Sequence, residues 1–117
     1  MQHEAPGVAF VTLRGEHDLS TEPALSQALA EATAHSNVVV DLSDCEFVDS
    51  TVIAALLRAA RGVAERGERF ALLIPPAQRQ ITRIAEMTQL GELLAIHATR
   101  EEALASVQSP LPPESRS

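Results

Sequence analysis

Apolar residues in this chain fall into short continuous runs separated by longer stretches with helical spacing. The runs cover residues 8–13, 38–42, 70–74 and 93–96 and are rich in valine, leucine and isoleucine. Short aliphatic runs of this kind, bounded by polar or glycine-containing segments, predict buried strands. The run 38–42 is apolar almost throughout, which is typical of a strand that is covered on both faces.

Between the runs, apolar positions recur every three or four residues. This spacing places them on one face of a helix and predicts amphipathic helices. The first helix would bury Leu25, Ala28, Leu29 and Ala32. Further helices are predicted over residues 50–66, 78–88 and 100–107, and Gly67 is a good stop for the first of these three.

Strands and helices therefore alternate along the chain. This order predicts an α/β fold in which a central mixed, mostly parallel β-sheet is packed by about four α-helices. A short strand within residues 1–5 would precede the turn at Pro6 and Gly7. Residues 1–107 are expected to form a single domain. Residues 108–117, with three prolines and little to bury, are expected to be a disordered tail.

One stretch in the middle of the chain combines apolar and chemically active residues. The strand 38–42 is expected to end in a short polar loop, after which Phe47 and Val48 lead into Asp49, Ser50 and Thr51. A hydroxyl would then lie at the start of a helix and at the end of a strand, where α/β proteins usually display their chemistry. From these residues alone, helix capping by Asp49 or Ser50 is the more common role.

A second polar segment is expected at the same end of the sheet. Gly15 should break the first long strand, leaving Glu16, His17 and Asp18 in a loop. Asp41 and Asp44 are interpreted as turn-forming residues.

Composition and charge exclude several classes of function. The chain has 117 residues, 45% of them apolar and 3% aromatic, with no Trp or Tyr and a formal net charge of −7. An acidic surface without stacking aromatics argues against direct nucleic-acid binding and against anionic membranes. The single Cys45 excludes an internal disulfide. With no signal peptide and no spanning apolar run in this sequence, we expect a cytoplasmic protein.

No catalytic or metal site is predicted, and no cofactor. The four histidines lack metal-ligand spacing, and the chain contains no glycine-rich phosphate-binding motif. Ser50, His17 and Asp18 could in principle form a hydrolytic triad. However, Ser50 does not lie in a Gly-x-Ser-x-Gly turn, and nothing identifies an oxyanion hole.

Several segments in order resemble one known family, the STAS domain, and within it the bacterial anti-sigma factor antagonists. The resemblance lies in Asp41-Leu42-Ser43 followed by Phe47-Val48 and Asp49-Ser50-Thr51, in the turn Gly15–Leu19, and in residues 75–81, 90–93 and 101–104. Together these segments span nearly the whole chain. The chain departs from the family at Val52, where the family usually has glycine.

The resemblance implies a binding module rather than an enzyme. In the family the serine after the aspartate is phosphorylated, which is Ser50 here. The implied partner is an anti-sigma factor that is also a serine kinase, and a serine phosphatase would reset the switch. The implied partner-binding residues are Glu16, Asp18, Asp49, Ser50, Thr51, Val52 and Ile53.

A second function remains open at this point. The chain could be a STAS module that does not switch, in a lipid-transport subunit or a stress-sensing complex, where Ser50 need not be modified. A third alternative, from a different class of function, is a small hydrolase that uses Ser50.

Overall fold

Among the residues that the structure describes, one five-stranded sheet is packed by four helices. The computed structural model describes residues 2–5, 7–17, 20, 22–33 and 37–108. The strands are β1 (Gln2–Ala5), β2 (Val8–His17), β3 (Asn37–Val48), β4 (Phe70–Leu73) and β5 (Ala95–His97). The helices are α1 (Glu22–Thr33), α2 (Ser50–Glu65), α3 (Arg79–Met87) and α4 (Arg100–Gln108), with a 3₁₀ turn at Leu90–Glu92.

The strands lie side by side in the order β1-β2-β3-β4-β5. Strands β2 to β5 are parallel, and β1 pairs with β2 in the antiparallel direction. The prediction of an α/β fold with a mixed, mostly parallel sheet and four helices is therefore confirmed. The carboxyl ends of the four parallel strands lie at the same end of the sheet.

Side chains that alternate along the strands form two cores, one on each face of the sheet. The larger core packs residues of α1, α2 and α3, such as Leu29, Leu56 and Ile81, against one set of strand residues. On the opposite face, Ala103 and Val107 of α4 pack against Val8, Phe10, Val39, Ala71 and Leu73. The Arg100 guanidinium lies 4.1 Å from the centre of the Phe10 ring, which adds a cation–π contact to the smaller core.

The structure corrects the predicted end of β3. The strand does not stop at Leu42 but continues to Val48. Its second half pairs with β2, and Cys45 and Val48 are buried on that half. This pairing and burial hold the polar residues Ser43, Asp44 and Glu46 in an extended conformation. Asp41 and Asp44 therefore lie within a strand, although Asp41 Oδ1 does accept a hydrogen bond from Ser43 N (2.8 Å), as in a local turn.

The structure also corrects the predicted end of β2. Gly15 does not break the strand, which runs to His17. Gly15 has φ +75°, and the pairing register with β3 shifts on either side of Arg14 and Gly15, so the glycine introduces a bulge into a continuing strand. Glycine adopts this left-handed conformation without steric cost.

The last elements are close to their predicted positions. Helix α3 is followed by Gln89 in the left-handed conformation (φ 56°) and the 3₁₀ turn, so β5 begins at Ala95 rather than at residue 93. Helix α4 is capped by Thr99, whose Oγ1 accepts a hydrogen bond from Glu102 N (3.1 Å), and it extends to Gln108. Residues 109–117 lie outside the described residues, and the disordered tail stays a prediction.

Candidate functional site

Helix α2 begins directly after β3, and its first residue is Ser50. Asp49 is the cap: its backbone is extended, and its Oδ1 accepts a hydrogen bond from Val52 N (3.1 Å). One of the free N–H groups of the first turn, that of Val52, is therefore satisfied by the aspartate and not by the serine. Ser50 is exposed, and within the described part of the chain its hydroxyl has no hydrogen-bond partner. The hydroxyl is thus available to solvent and to a reactant.

The residues that follow Ser50 differ in exposure. Thr51 is half-buried, whereas Val52 is fully buried and Ile53 is 8% exposed, both in the larger core. The side chains of Val52 and Ile53 are therefore not presented on the surface. Val52 packs beneath the helix start and does not stand between the Ser50 hydroxyl and solvent.

The described part of the second polar segment predicted from the sequence, Glu16 and His17, lies beside the end of β3 that leads into Ser50. Glu16 pairs with Phe47 and His17 with Val48 in the parallel ladder, so the end of β2 is one strand spacing, about 4.8 Å, from the end of β3. Glu16 is exposed, as expected for a surface residue. Asp18 lies outside the described residues, and its place in the site stays a prediction.

A residue that the sequence analysis did not single out holds this end of the sheet together. Strand β4 pairs with β3 only as far as Asp41, which leaves the second half of β3 without a strand on that side. The Gln78 side chain occupies this edge. Its Nε2 donates to the carbonyl oxygens of Ser43 and Cys45 (2.9 Å for Cys45) and lies 3.4 Å from that of Leu42.

This role of Gln78 depends on two features. An amide nitrogen carries two hydrogens, which suits two strand carbonyls that point to the same edge. Gln78 also immediately precedes α3, so these bonds tie the start of that helix to β3. The sequence alone gives little indication of this role of Gln78. The role can be recognised only once β3 is known to be much longer than β4.

Two other polar contacts lie near the site. Arg14 and Asp44 form an ion pair across β2 and β3 (3.7 Å), but both side chains are largely exposed, so it contributes little to stability. Cys45 is buried, as predicted, and its thiol donates to the Phe47 carbonyl (3.5 Å). Burial raises the pKa of the Cys45 thiol, which keeps it protonated and unreactive.

The geometry of Ser50 is suited to a site that accepts a chemical group. No cluster of His, Cys, Asp and Glu suited to a metal ion occurs among the residues that the structure describes. Ser50 is accompanied by the carboxylate of Asp49, already engaged as a cap, and by Glu16 on the neighbouring strand. An exposed hydroxyl in this setting can receive a phosphoryl group, and the added charge would fall next to the Asp49 carboxylate.

No helix within the described ranges has the length and apolar character needed to span a bilayer.

Comparison with known proteins places the chain in a family. Residues 1–96 match the family model described as "Mlab, STAS domain". The anti-sigma-F factor antagonist RsfA of Mycobacterium tuberculosis is 29% identical over 110 residues, which cover 91% of this chain and 84% of RsfA.

Solved structures of anti-sigma factor antagonists have the same fold as this chain. An anti-sigma factor antagonist from Mycobacterium paratuberculosis superimposes with a TM-score of 0.81 at 27% identity, covering 93% of this chain and 91% of the other. The Bacillus protein SpoIIAA in its phosphorylated form has the same fold, with a TM-score of 0.68 at 19% identity over 91% of this chain and 96% of its own. Sheet order, helix number and a family match over most of the chain lead to one conclusion: the protein belongs to the STAS domain family.

Proposed function

We propose that this protein is an anti-sigma factor antagonist whose binding is switched off by phosphorylation of Ser50. In this proposal it binds an anti-sigma factor that is also a serine kinase, in the cytoplasm, and thereby frees a sigma factor. A serine phosphatase restores the binding form, and ATP and magnesium belong to the kinase. The chain itself acts as a binding module and carries out no chemistry.

The observation that supports this most directly is the state of the Ser50 hydroxyl. Asp49 already caps α2, so Ser50 is exposed at the first helical position and is not required to hold the helix. A capping serine would have to break a structural hydrogen bond before it could be modified. The relatives add support, since RsfA is named an anti-sigma-F factor antagonist and SpoIIAA is known in a phosphorylated form.

The proposed loss of binding is explained by the negative charge that the phosphate adds at Ser50. A phosphoserine adds about −1.5 to −2 charges at neutral pH, beside Asp49 and near Glu16. The serine must approach the kinase's nucleotide phosphates to be modified, so the phosphorylated form faces like charge in the same complex. Like charges across an interface cost several kcal/mol, and about 3 kcal/mol weakens binding roughly a hundredfold.

The proposed contact surface comprises Glu16, Asp18, Asp49, Ser50 and Thr51 with the exposed face of α2. Val52 and Ile53 act from the core, where they fix the position of the first turn. A valine at 52 does not cover Ser50, because its side chain is fully buried. The departure from the family glycine therefore leaves the hydroxyl accessible.

The test compares three baits, wild type, Ser50→Ala and Ser50→Asp, in a pull-down from lysate of the source organism, with partners identified by mass spectrometry. We expect wild type and Ser50→Ala to retain an anti-sigma factor with an ATP-binding kinase domain, and Ser50→Asp to lose it. The thermal midpoint of Ser50→Asp should remain within a few degrees of wild type, because the Ser50 hydroxyl makes no hydrogen bond to the residues that the structure describes.

Other outcomes are informative. Retention of the same partners by all three baits would show that Ser50 does not gate binding, and the chain would then be a constitutive STAS module. Unfolding of Ser50→Asp would show that the serine is structural. Labelling of Ser50 by a serine-directed covalent probe would instead indicate a hydrolase.

A further inference from the structure

A groove close to Ser50 differs in charge from the rest of the molecule. It lies between the end of β3 and α3, has a volume of about 440 Å³, and is lined by Phe47, Arg79, Gln80, Arg83 and Ile84. We call it the Phe47 groove. The chain carries a net charge of −7, yet this groove is lined by two arginines and no carboxylate.

The two arginines are positioned at a cost to the helix. Arg79 and Arg83 are four residues apart on α3, so they lie on the same face, where like charges disfavour the helix by a few tenths of a kcal/mol. Both are exposed, and neither forms an ion pair with any residue that the structure describes. Their charges are therefore unneutralised within the described part of the molecule.

The apolar part of the groove is also exposed. Phe47 is 37% exposed and is one of only three phenylalanines in the chain. Ile84, half-buried, lines the same groove. An exposed aromatic ring next to two arginines is the composition that interface centres favour, since aromatic residues and arginine are enriched there.

The walls of the groove are held in place. Phe47 belongs to β3, whereas the arginines belong to α3, and the Gln78 side chain bonds the start of α3 to the carbonyl oxygens of β3. The groove is thus largely formed before any partner binds, which reduces the entropic cost of binding. The groove also borders a residue of the proposed contact surface, because Phe47 pairs with Glu16 in the parallel ladder and is three residues from Ser50 in the sequence.

We infer that the Phe47 groove binds an acidic segment of the anti-sigma factor, one that carries an apolar side chain next to its carboxylates. The apolar side chain packs on Phe47 and Ile84, and the carboxylates pair with Arg79 and Arg83, whose guanidinium groups can bind them in a bidentate way. This inference rests on the proposed function for the identity of the partner. It adds a second, oppositely charged contact that fixes the orientation of the complex.

The test uses the anti-sigma factor identified with the Ser50→Ala bait, purified, and measures its Kd for single variants. We expect Arg83→Glu and Phe47→Ala each to weaken binding at least tenfold. The matched control is Arg100→Glu, which makes the same charge change on α4, across the sheet from α2 and α3, and should alter Kd less than twofold. The loss caused by Arg83→Glu should shrink as salt is raised, because ions screen exposed charges.

The outcomes separate this inference from the proposed function. If Arg83→Glu binds like wild type while Ser50→Asp does not bind, the switch stands and the groove inference is overturned. Equal weakening by Arg100→Glu would also overturn it, since the effect would then be one of net charge. If wild type binds no anti-sigma factor, both fail together. Sedimentation velocity adds one check: a dimer that Arg83→Glu dissociates would make a second copy the occupant and would overturn the inference.

Discussion

Helices α2 and α3 both follow a strand of the parallel sheet, but they begin in different ways. Helix α2 starts with a local cap, since Asp49 accepts a hydrogen bond from Val52 N within the same turn. Helix α3 has no side-chain cap, because the Gln78 side chain reaches away from the helix to the carbonyl oxygens of Ser43 and Cys45 on β3.

The starts of α2 and α3 therefore have different roles, although both lie at the same end of the sheet. The start of α2 has its own side-chain cap in Asp49, so Ser50 can change its charge without breaking that cap. The start of α3 is fixed by another strand, so it controls where Arg79 and Arg83 lie relative to Phe47. Mutations at the two starts should accordingly have different consequences, and three of them sharpen the contrast.

The largest effect on stability is expected from Val52→Gly, which restores the family glycine. Val52 is fully buried in the larger core, so the change leaves a cavity and adds the cost of glycine in a helix. We expect the free energy of unfolding in urea to fall by about 3 kcal/mol. Val52→Ala should account for about two thirds of this loss. A loss below about 1 kcal/mol for Val52→Gly would show that the first turn of α2 is not packed as described.

An intermediate effect is expected from Gln78→Ala. The change leaves two strand carbonyls in a partly buried edge without donors, at a cost of about 2 kcal/mol in the free energy of unfolding. Gln80→Ala, an exposed position on the same helix, is the control and should cost little. Amide hydrogen exchange should speed up in α3 and not in α2. Equal acceleration in both helices would contradict the separation of the two starts.

The smallest effect is expected from Asp49→Ala. Loss of the cap should lower the free energy of unfolding by about 1 kcal/mol, because one N–H of the first turn loses its acceptor. Asp49→Asn keeps an equivalent acceptor and should restore most of that stability. Amide hydrogen exchange should become faster at Val52, and the exchange rates in α3 should stay the same. If Asp49→Asn were as unstable as Asp49→Ala, the carboxylate charge rather than the cap would be what matters.

The start of α2 could be predicted from the sequence better than the start of α3. The reason is that α2 is capped by a residue of its own first turn, whereas the start of α3 is held by residues distant in the sequence. An aspartate followed by an amphipathic helix carries its own cap within four residues, so local rules suffice. The role of Gln78 depends on residues more than thirty positions away and on the unequal lengths of β3 and β4. The same limit explains why β2 and β3 were predicted too short: their polar second halves are strands only because they pair with each other.

By itself, the sequence determined the order of strands and helices, the aliphatic core and the placement of Ser50 at a helix start, because apolar periodicity and capping are local. Only the tertiary structure decided that Ser50 is exposed while Val52 is buried. It also decided that Gln78 closes the edge of β3 and that two arginines share a groove with Phe47. These facts depend on which distant segments pack together, and burial and pairing across the sheet are set by that packing and not by any one stretch of the chain.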